Sequence, residues 1–287
     1  MFSKLYKILL ILGIVFVLIS IPVFLWAYDS PENLEVDFLD VGQGDAILIK
    51  APAGQNILID GGPDSKIIDC LSRELPWWDR TIDLMILTHP HDDHVSGLIE
   101  VLRRYEVKKI IYTGVPHNSP NFLKWLEIIR EKKISMIIID HEQKIILGPD
   151  CFLEFLYPDQ AIFGKEATNL NNTSIINKLI YKNNKFLFMG DAELELENNL
   201  LGRNLDLSAD ILKIGHHGSD TSSSEEFLRA VNPKIALIEV GENNKFNHPS
   251  LRVLKRLERM NIKIYRTDLD ATIRIISDGD NLKRLAR

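Results

Sequence analysis

"LMILTHPHDDHVSGL", Leu84 to Leu98, sets three histidines and two aspartates between His89 and His94, directly after an apolar run. The run reads as a buried strand, and the segment from His94 to Tyr105 as a helix. His89 and His91 are two positions apart, so extended backbone points both to one side. Asp93 and His94 continue into the turn that begins the helix. Two imidazoles and a carboxylate so close in sequence surround an ion with little extra ordering of the loop. Nitrogen and carboxylate donors together suit zinc, manganese or iron. Asp92 reads differently, as a helix cap or an exposed residue.

Further candidates follow other strand-like runs. Asp60 ends "NILID", Asp191 follows "KFLFMG", His216 and His217 follow "ADILKIG", and His248 lies just past "KIALIEVG". Loops at the ends of neighbouring strands converge on one place, where α/β folds put their ligands. Six of the eight histidines fall in these groups; His117 and His141 read as surface residues. Two ions side by side need a bridging carboxylate, and Asp191 is the natural candidate. Strand hairpins come first, then strands alternating with helices, and the whole pattern occurs twice. It predicts an α/β fold of two packed sheets with helices outside, as one domain over residues 34–287.

The 287 residues are 45% hydrophobic and 26% charged, an ordinary globular composition. Cys70 and Cys151 lie far apart and read as buried free thiols. The first 28 residues differ: Lys4 and Lys7 precede an uncharged run from Ile8 to Tyr28, and acidic residues follow from Asp29. That pattern predicts an N-terminal transmembrane helix over 1–28, a linker over 29–33, and a catalytic domain outside the cell membrane. A cleaved signal peptide, giving a secreted protein, is the alternative; the bulky "FLWAY" is a poor cleavage site. The formal net charge is −6 and becomes −8 without Lys4 and Lys7, which argues against a broad basic surface for nucleic acid. Arg252, Arg256 and Arg259 read as an ordinary solvated helix face.

"THPHDDH" has the HxHxDH pattern of the metallo-β-lactamase superfamily. With "FLDVGQGDAILI", "ILIDGG", "NNTSIINKL", "FLFMGDAE", "LKIGHHGS" and "NHPS", in that order, the chain resembles the hydrolase domain of ComEC/Rec2-type DNA-uptake proteins. The resemblance implies a metallo-β-lactamase αββα four-layer sandwich and a site for two divalent ions, Zn²⁺ or Mn²⁺. His89 and His91 would hold one ion. Asp93, His94 and one histidine of "HHGS" would hold the other, with His216 taken as that ligand by motif position, and Asp191 would bridge. Asp60 matches an acid that orients the site, and "DVGQGD" brings Gln43 and Asp45 towards it.

The superfamily commonly has a further histidine before the bridging aspartate, but "TNLNNTSII" has none. Asn172, Ser174 or a water then faces the first ion, which is weakened. Asp93 carries a catalytic role beside its ligand role, and His217 or His248 assists the leaving oxygen. Ser219 is placed to meet a phosphate oxygen.

The leading expectation is a membrane-anchored extracytoplasmic phosphodiesterase or nuclease acting on DNA, a partner of a DNA-uptake apparatus. One candidate span is too few for the channel itself. The alternatives are a hydrolase of another exported substrate, such as a phosphocholine ester or a lactam, and a non-catalytic accessory of DNA uptake.

Overall fold

The computed structural model describes residues 10–18, 20 and 33–285. The first sheet contains β1 (Leu34–Phe38), β2 (Ile47–Lys50), β3 (Asn56–Ile59), β4 (Thr81–Ile86), β5 (Glu106–Tyr112) and β6 (Ser135–Ile138). The second contains β7 (Gln143–Gly148), β8 (Cys151–Tyr157), β9 (Ile176–Tyr181), β10 (Asn184–Phe188), β11 (Ile211–Lys213), β12 (Ile235–Ile238) and β13 (Lys263–Arg266). The chain then returns to the first sheet with β14 (Ile273–Ser277) and β15 (Leu282–Leu285), giving the order β15-β14-β1-β2-β3-β4-β5-β6. In each sheet the strands that enclose the site run parallel, β3 to β6 and β10 to β13.

Alternation along each strand builds the layers. Ile47 and Ile49 of β2 face the second sheet, while Leu48 between them faces the first set of helices. Phe186 and Phe188 of β10 face the first sheet, while Leu187 faces the other helices. Phe38 and Phe188 meet across the gap with ring centroids 6.2 Å apart. Burying each such ring contributes roughly 1.5–3 kcal/mol.

The outer helices are α1 (Lys66–Glu74), α2 (Asp92–Arg104) and α3 (Pro120–Lys132) on one side. On the other are α4 (Leu194–Leu201), α5 (Glu225–Val231) and α6 (Leu251–Arg259). The expected αββα order of layers is therefore observed. Helix α2 buries Val95, Leu98, Ile99, Val101 and Leu102 on one face. Asp92 and Asp93 stand at its positive end, Arg103 and Arg104 at its negative end. Gly97 lets it settle on the loop after β3: a Cβ there would lie 1.8 Å from the Gly61 carbonyl oxygen.

Both cysteines are buried and free, as expected. Most of the anchor expected over 1–28, and of the linker after it, lies outside the described residues. Residues 10–18 are helical with exposed apolar side chains, and among the described residues no helix is long and apolar enough to cross a membrane. The solvated face expected on α6 is engaged in part: Arg259 pairs with Glu225 at 2.5 Å, and Arg256 donates to the Ser223 carbonyl.

Candidate metal centre

The loops after β3, β4, β10 and β11 deliver their polar side chains to one place between the sheets. Asp60 follows β3 at φ 57. It accepts the Thr88 amide at 2.8 Å, the Thr88 hydroxyl at 2.6 Å and His94 Nδ1 at 2.8 Å. Holding His94 by Nδ1 turns its Nε2 inward. His217 is held the same way, with Nδ1 2.9 Å from the Glu239 carbonyl oxygen and 3.2 Å from Asp45 Oδ1. Donating one ring nitrogen backwards and offering the other forwards is how metal-binding histidines are oriented.

His94 Nε2 lies 3.3 Å and His217 Nε2 3.5 Å from Asp191 Oδ2, and Asp93 Oδ2 is 3.4 Å from His217 Nε2. Neither Nε2 has a hydrogen-bond partner, and neither does Asp191 Oδ1, although all three atoms are buried. Donors around a tetrahedral ion, each at about 2.1 Å, stand roughly 3.4 Å from one another. The donor set therefore fits a divalent ion. A second group joins His89, His91 and Asp191: His89 Nε2 is 3.0 Å from His91 Nδ1 and 3.8 Å from Asp191 Oδ2. Asp191 belongs to both groups.

The electrostatics agree with this fit. Burial opposes charge on His94 and His217, yet the carboxylates around them raise both well above the usual histidine range. Burial likewise opposes the Asp191 charge, but His217 and His94 hold its carboxyl well below the usual range. The pocket is thus a concentration of negative charge that protons on histidines balance, and a divalent cation replaces such protons. His89, like His91 beside it, is shifted the other way. Burial and the neighbouring His94 keep it neutral, which suits a nitrogen donor.

Several expectations are corrected. His217, not His216, stands in the four-residue group. Both have left-handed backbone, at φ 52 and φ 46, and this turn sends His217 inward and His216 to the rim. There His216 Nδ1 lies 3.1 Å from Glu193. His217 accordingly lies inside the cluster, with Nε2 3.5 Å from Asp191 Oδ2, rather than at its mouth. Neither Asn172 nor Ser174 faces the His89 group. Asn172 bonds the Glu193 amide and Glu195. Ser174 sits behind, with Oγ 3.3 Å from His89 Nδ1 and accepting the Asp191 amide at 3.0 Å, so it orients both residues.

Gln43 accepts the Gly241 amide at 3.2 Å instead of entering the centre. Asp45 does reach it, through His217. Ser219 bonds Thr221, and His248 stands at the mouth with its ring 5.5 Å from that of His216.

Sequence reasoning passed over four residues. His117 was expected on the surface, but its ring lies 6.2 Å from that of His91, in the wall of a cavity of about 340 Å³ with Asn118 and Glu166. The buried Asn171 leaves its Oδ1 without a partner. Lys213 is fully buried and donates to Asp45 and, at 2.9 Å, to the Gly190 carbonyl oxygen. Glu239 is buried beside them and accepts the Ala46 amide at 3.0 Å. Burial and the Asp45 charge raise the Glu239 carboxyl well above its usual range. Lys213 carried a readable signal: a lysine on the same face of β11 as Ile211 points between the sheets. Its loop partner follows the "DVGQ" turn, where a Cβ on Gly44 would lie 2.1 Å from the Asp93 carbonyl oxygen.

Comparison with known proteins agrees with this architecture. The chain is 29% identical over 256 residues to ComE operon protein 3 of Bacillus subtilis, covering 83% of this chain and 32% of that protein. It is 28% identical over 271 residues to Recombination protein 2 of Haemophilus influenzae, covering 93% and 32%. The chain thus spans about a third of the length of the curated relatives it matches. Among solved structures, the metallo-beta-lactamase fold protein YhfI from Bacillus subtilis superposes with a TM-score of 0.53 at 11% identity, over 88% of this chain and 99% of that one. The profile of the metallo-beta-lactamase superfamily matches residues 39–241, and the chain belongs to that superfamily.

Proposed function

We propose that the chain is a membrane-anchored, extracytoplasmic metal-dependent hydrolase that cleaves phosphodiester bonds of DNA, the role its similarity to DNA-uptake proteins suggests. One observation carries the hydrolase reading: Asp191 is shared by two donor groups whose inward atoms, His94 Nε2, His217 Nε2 and Asp191 Oδ1, are buried without partners. In this reading Asp93, His94, His217 and Asp191 hold one Zn²⁺ or Mn²⁺ ion. His89, His91 and Asp191 hold the other, more weakly because only three side chains contribute. When bound, the two ions supply an activated water and positive charge for the attacking and departing oxygens.

The remaining roles belong to the chain itself. Asp60 and Asp45 fix the rings of His94 and His217, and Ser174 fixes His89 and the Asp191 backbone. His248, half-buried at the mouth, is assigned the proton for the leaving oxygen. Its place at the mouth, with its ring 5.5 Å from that of His216, carries this assignment. The anchor reading rests on the uncharged run from Ile8 to Tyr28.

The test is to purify the full chain in detergent and load it with Mn²⁺ or Zn²⁺. Single- and double-stranded DNA are offered beside a phosphocholine ester and a β-lactam. Cleavage of DNA alone supports the proposal. Turnover of only one of the other substrates reassigns the site, and a chain that binds neither ion removes the hydrolase reading.

A further inference from the structure

The end of the domain opposite the metal centre carries two exposed tryptophans that pack on each other. Trp77 is 81% and Trp78 70% exposed, with their rings edge to face at 5.5 Å. They lie in the turn between α1 and β4, which a soluble surface would fill with polar residues. Tryptophan has an apolar body with one polar N–H and favours the headgroup level of a bilayer.

The sheet shows what lies beside them. β1 is antiparallel to β2, β2 to β3, and β3 is parallel to β4, so β1 and β4 begin at the same edge. A single row links their starts. Glu35 is opposite Lys50 and Lys50 opposite Asn56, whose side-chain amide donates to Asp79 at 2.9 Å and to the Thr81 carbonyl oxygen at 3.1 Å. Three strand intervals of about 4.8 Å put the start of β1 roughly 15 Å from the tryptophan turn.

The apolar run of the sequence ends at Tyr28, and β1 starts at Leu34. Six fully extended residues span at most about 20 Å. If that run is held in a bilayer, the edge bearing Trp77 and Trp78 cannot stand far from it. Exposed Arg73, Arg80, Arg104 and Lys133 lie at this same end, beside Asp79, Glu106 and Glu131, and Arg104 is paired with Glu100 at 3.0 Å. Each basic side chain near an anionic leaflet adds attraction.

We propose that Trp77 and Trp78 dock the domain on the surface of an anionic lipid bilayer, with the metal centre turned to the opposite, aqueous side. The inference rests on the anchor reading above. It adds an orientation to it: β4 separates the tryptophan turn from His89, so substrate approaches from solution and not along the membrane.

The test uses the full chain carrying Trp26→Phe, which leaves Trp77, Trp78 and the buried Trp125 as emitters. It is reconstituted into liposomes containing phosphatidylglycerol and lipids brominated near the headgroup. The expected result is that the chain floats with the liposomes, its emission shifts to the blue, and the brominated lipid quenches most of it. The same chain with Trp77→Ala and Trp78→Ala should float equally well and lose that quenching, with unchanged circular dichroism.

A chain that floats while its tryptophans are quenched by aqueous iodide and not by brominated lipid overturns the docking and leaves the anchor standing. A chain that does not float overturns the anchor reading and the docking with it. Quenching by a single-stranded oligonucleotide in place of lipid reassigns the pair to nucleic acid and overturns the proposal. Should the double variant misfold, the parent chain alone still decides among these outcomes.

Discussion

The Lys213 ammonium at the end of β11 and the Asp45 carboxylate in the loop before β2, both buried, are joined side chain to side chain across 168 positions of sequence. Burial opposes the Asp45 charge, but Lys213 and His217 more than offset it and hold the carboxyl below its usual range. Lys213 also holds the Gly190 carbonyl oxygen, next to Asp191. One ammonium therefore steadies two of the elements that shape the centre. Removing one partner of such a buried pair strands the other charge, at a cost of about 3–5 kcal/mol. Lys213→Met should lower stability by that amount in urea titration and weaken metal binding, and Asp45→Asn added to it should recover part of the stability. An unchanged unfolding midpoint for Lys213→Met would show that the pair contributes nothing.

Asp191→Ala should abolish hydrolysis and leave the fold intact, because Asp191 stands in a loop between two donor groups rather than in an apolar core. In the proposed two-ion centre its loss would remove the negative charge shared by both donor groups, and one ion should be lost. A loss of several orders of magnitude in turnover is expected, each factor of ten being about 1.4 kcal/mol. Asp92→Ala, exposed at the start of α2, serves as the control. Turnover, metal content and circular dichroism of both variants decide; equal damage from Asp92→Ala would mean the ligands are misassigned.

His216 and His217 are separable by dialysis against limiting Zn²⁺. His217→Ala should lose an ion, whereas His216→Ala should keep the full complement. Asp60→Asn, which alters the support of His94 and of the neighbouring Thr88, should weaken affinity by roughly 10–100-fold. Retention of both ions by His217→Ala would restore His216 as the ligand.

The two thiols should be inert in the native protein. Burial pushes Cys70 up to about 11 and Cys151 up to about 12. A raised thiol pKa means that the unreactive protonated form dominates at pH 8. A chromogenic disulfide reagent at pH 8 should therefore report no fast thiol in the native state and two in urea. Rapid labelling of Cys70 without denaturant would show that α1 opens locally.

Much of this arrangement was legible in the sequence because the strands that build it are apolar, alternating and bounded by glycine. "NILIDGG" and "DLMILTHPHDDH" announce both their strands and the residues at their ends. What could not be read depended on backbone rotation or on edges. No spacing rule says that two successive histidines both take left-handed φ, yet that decides between His216 and His217. β7 and β15 escaped notice because edge strands carry charged and polar residues among their apolar ones. Asn172 was not placed because no spacing shows that its side chain turns to the Glu193 amide and Glu195.

The return of β14 to lie beside β1 has a consequence for biosynthesis. Leu34 to Phe38 pair with Ser277 to Ile273, so β1 gains its second neighbour only after Ser277 has been synthesised. Until then a nascent chain presents an unpaired apolar edge, the kind of surface that chaperones and aggregation both recognise. A chain broken off between His217 and Ile273 has every proposed metal ligand present and its first sheet open along β1. For this chain, possession of the metal-binding residues and completion of the fold are separate events in time.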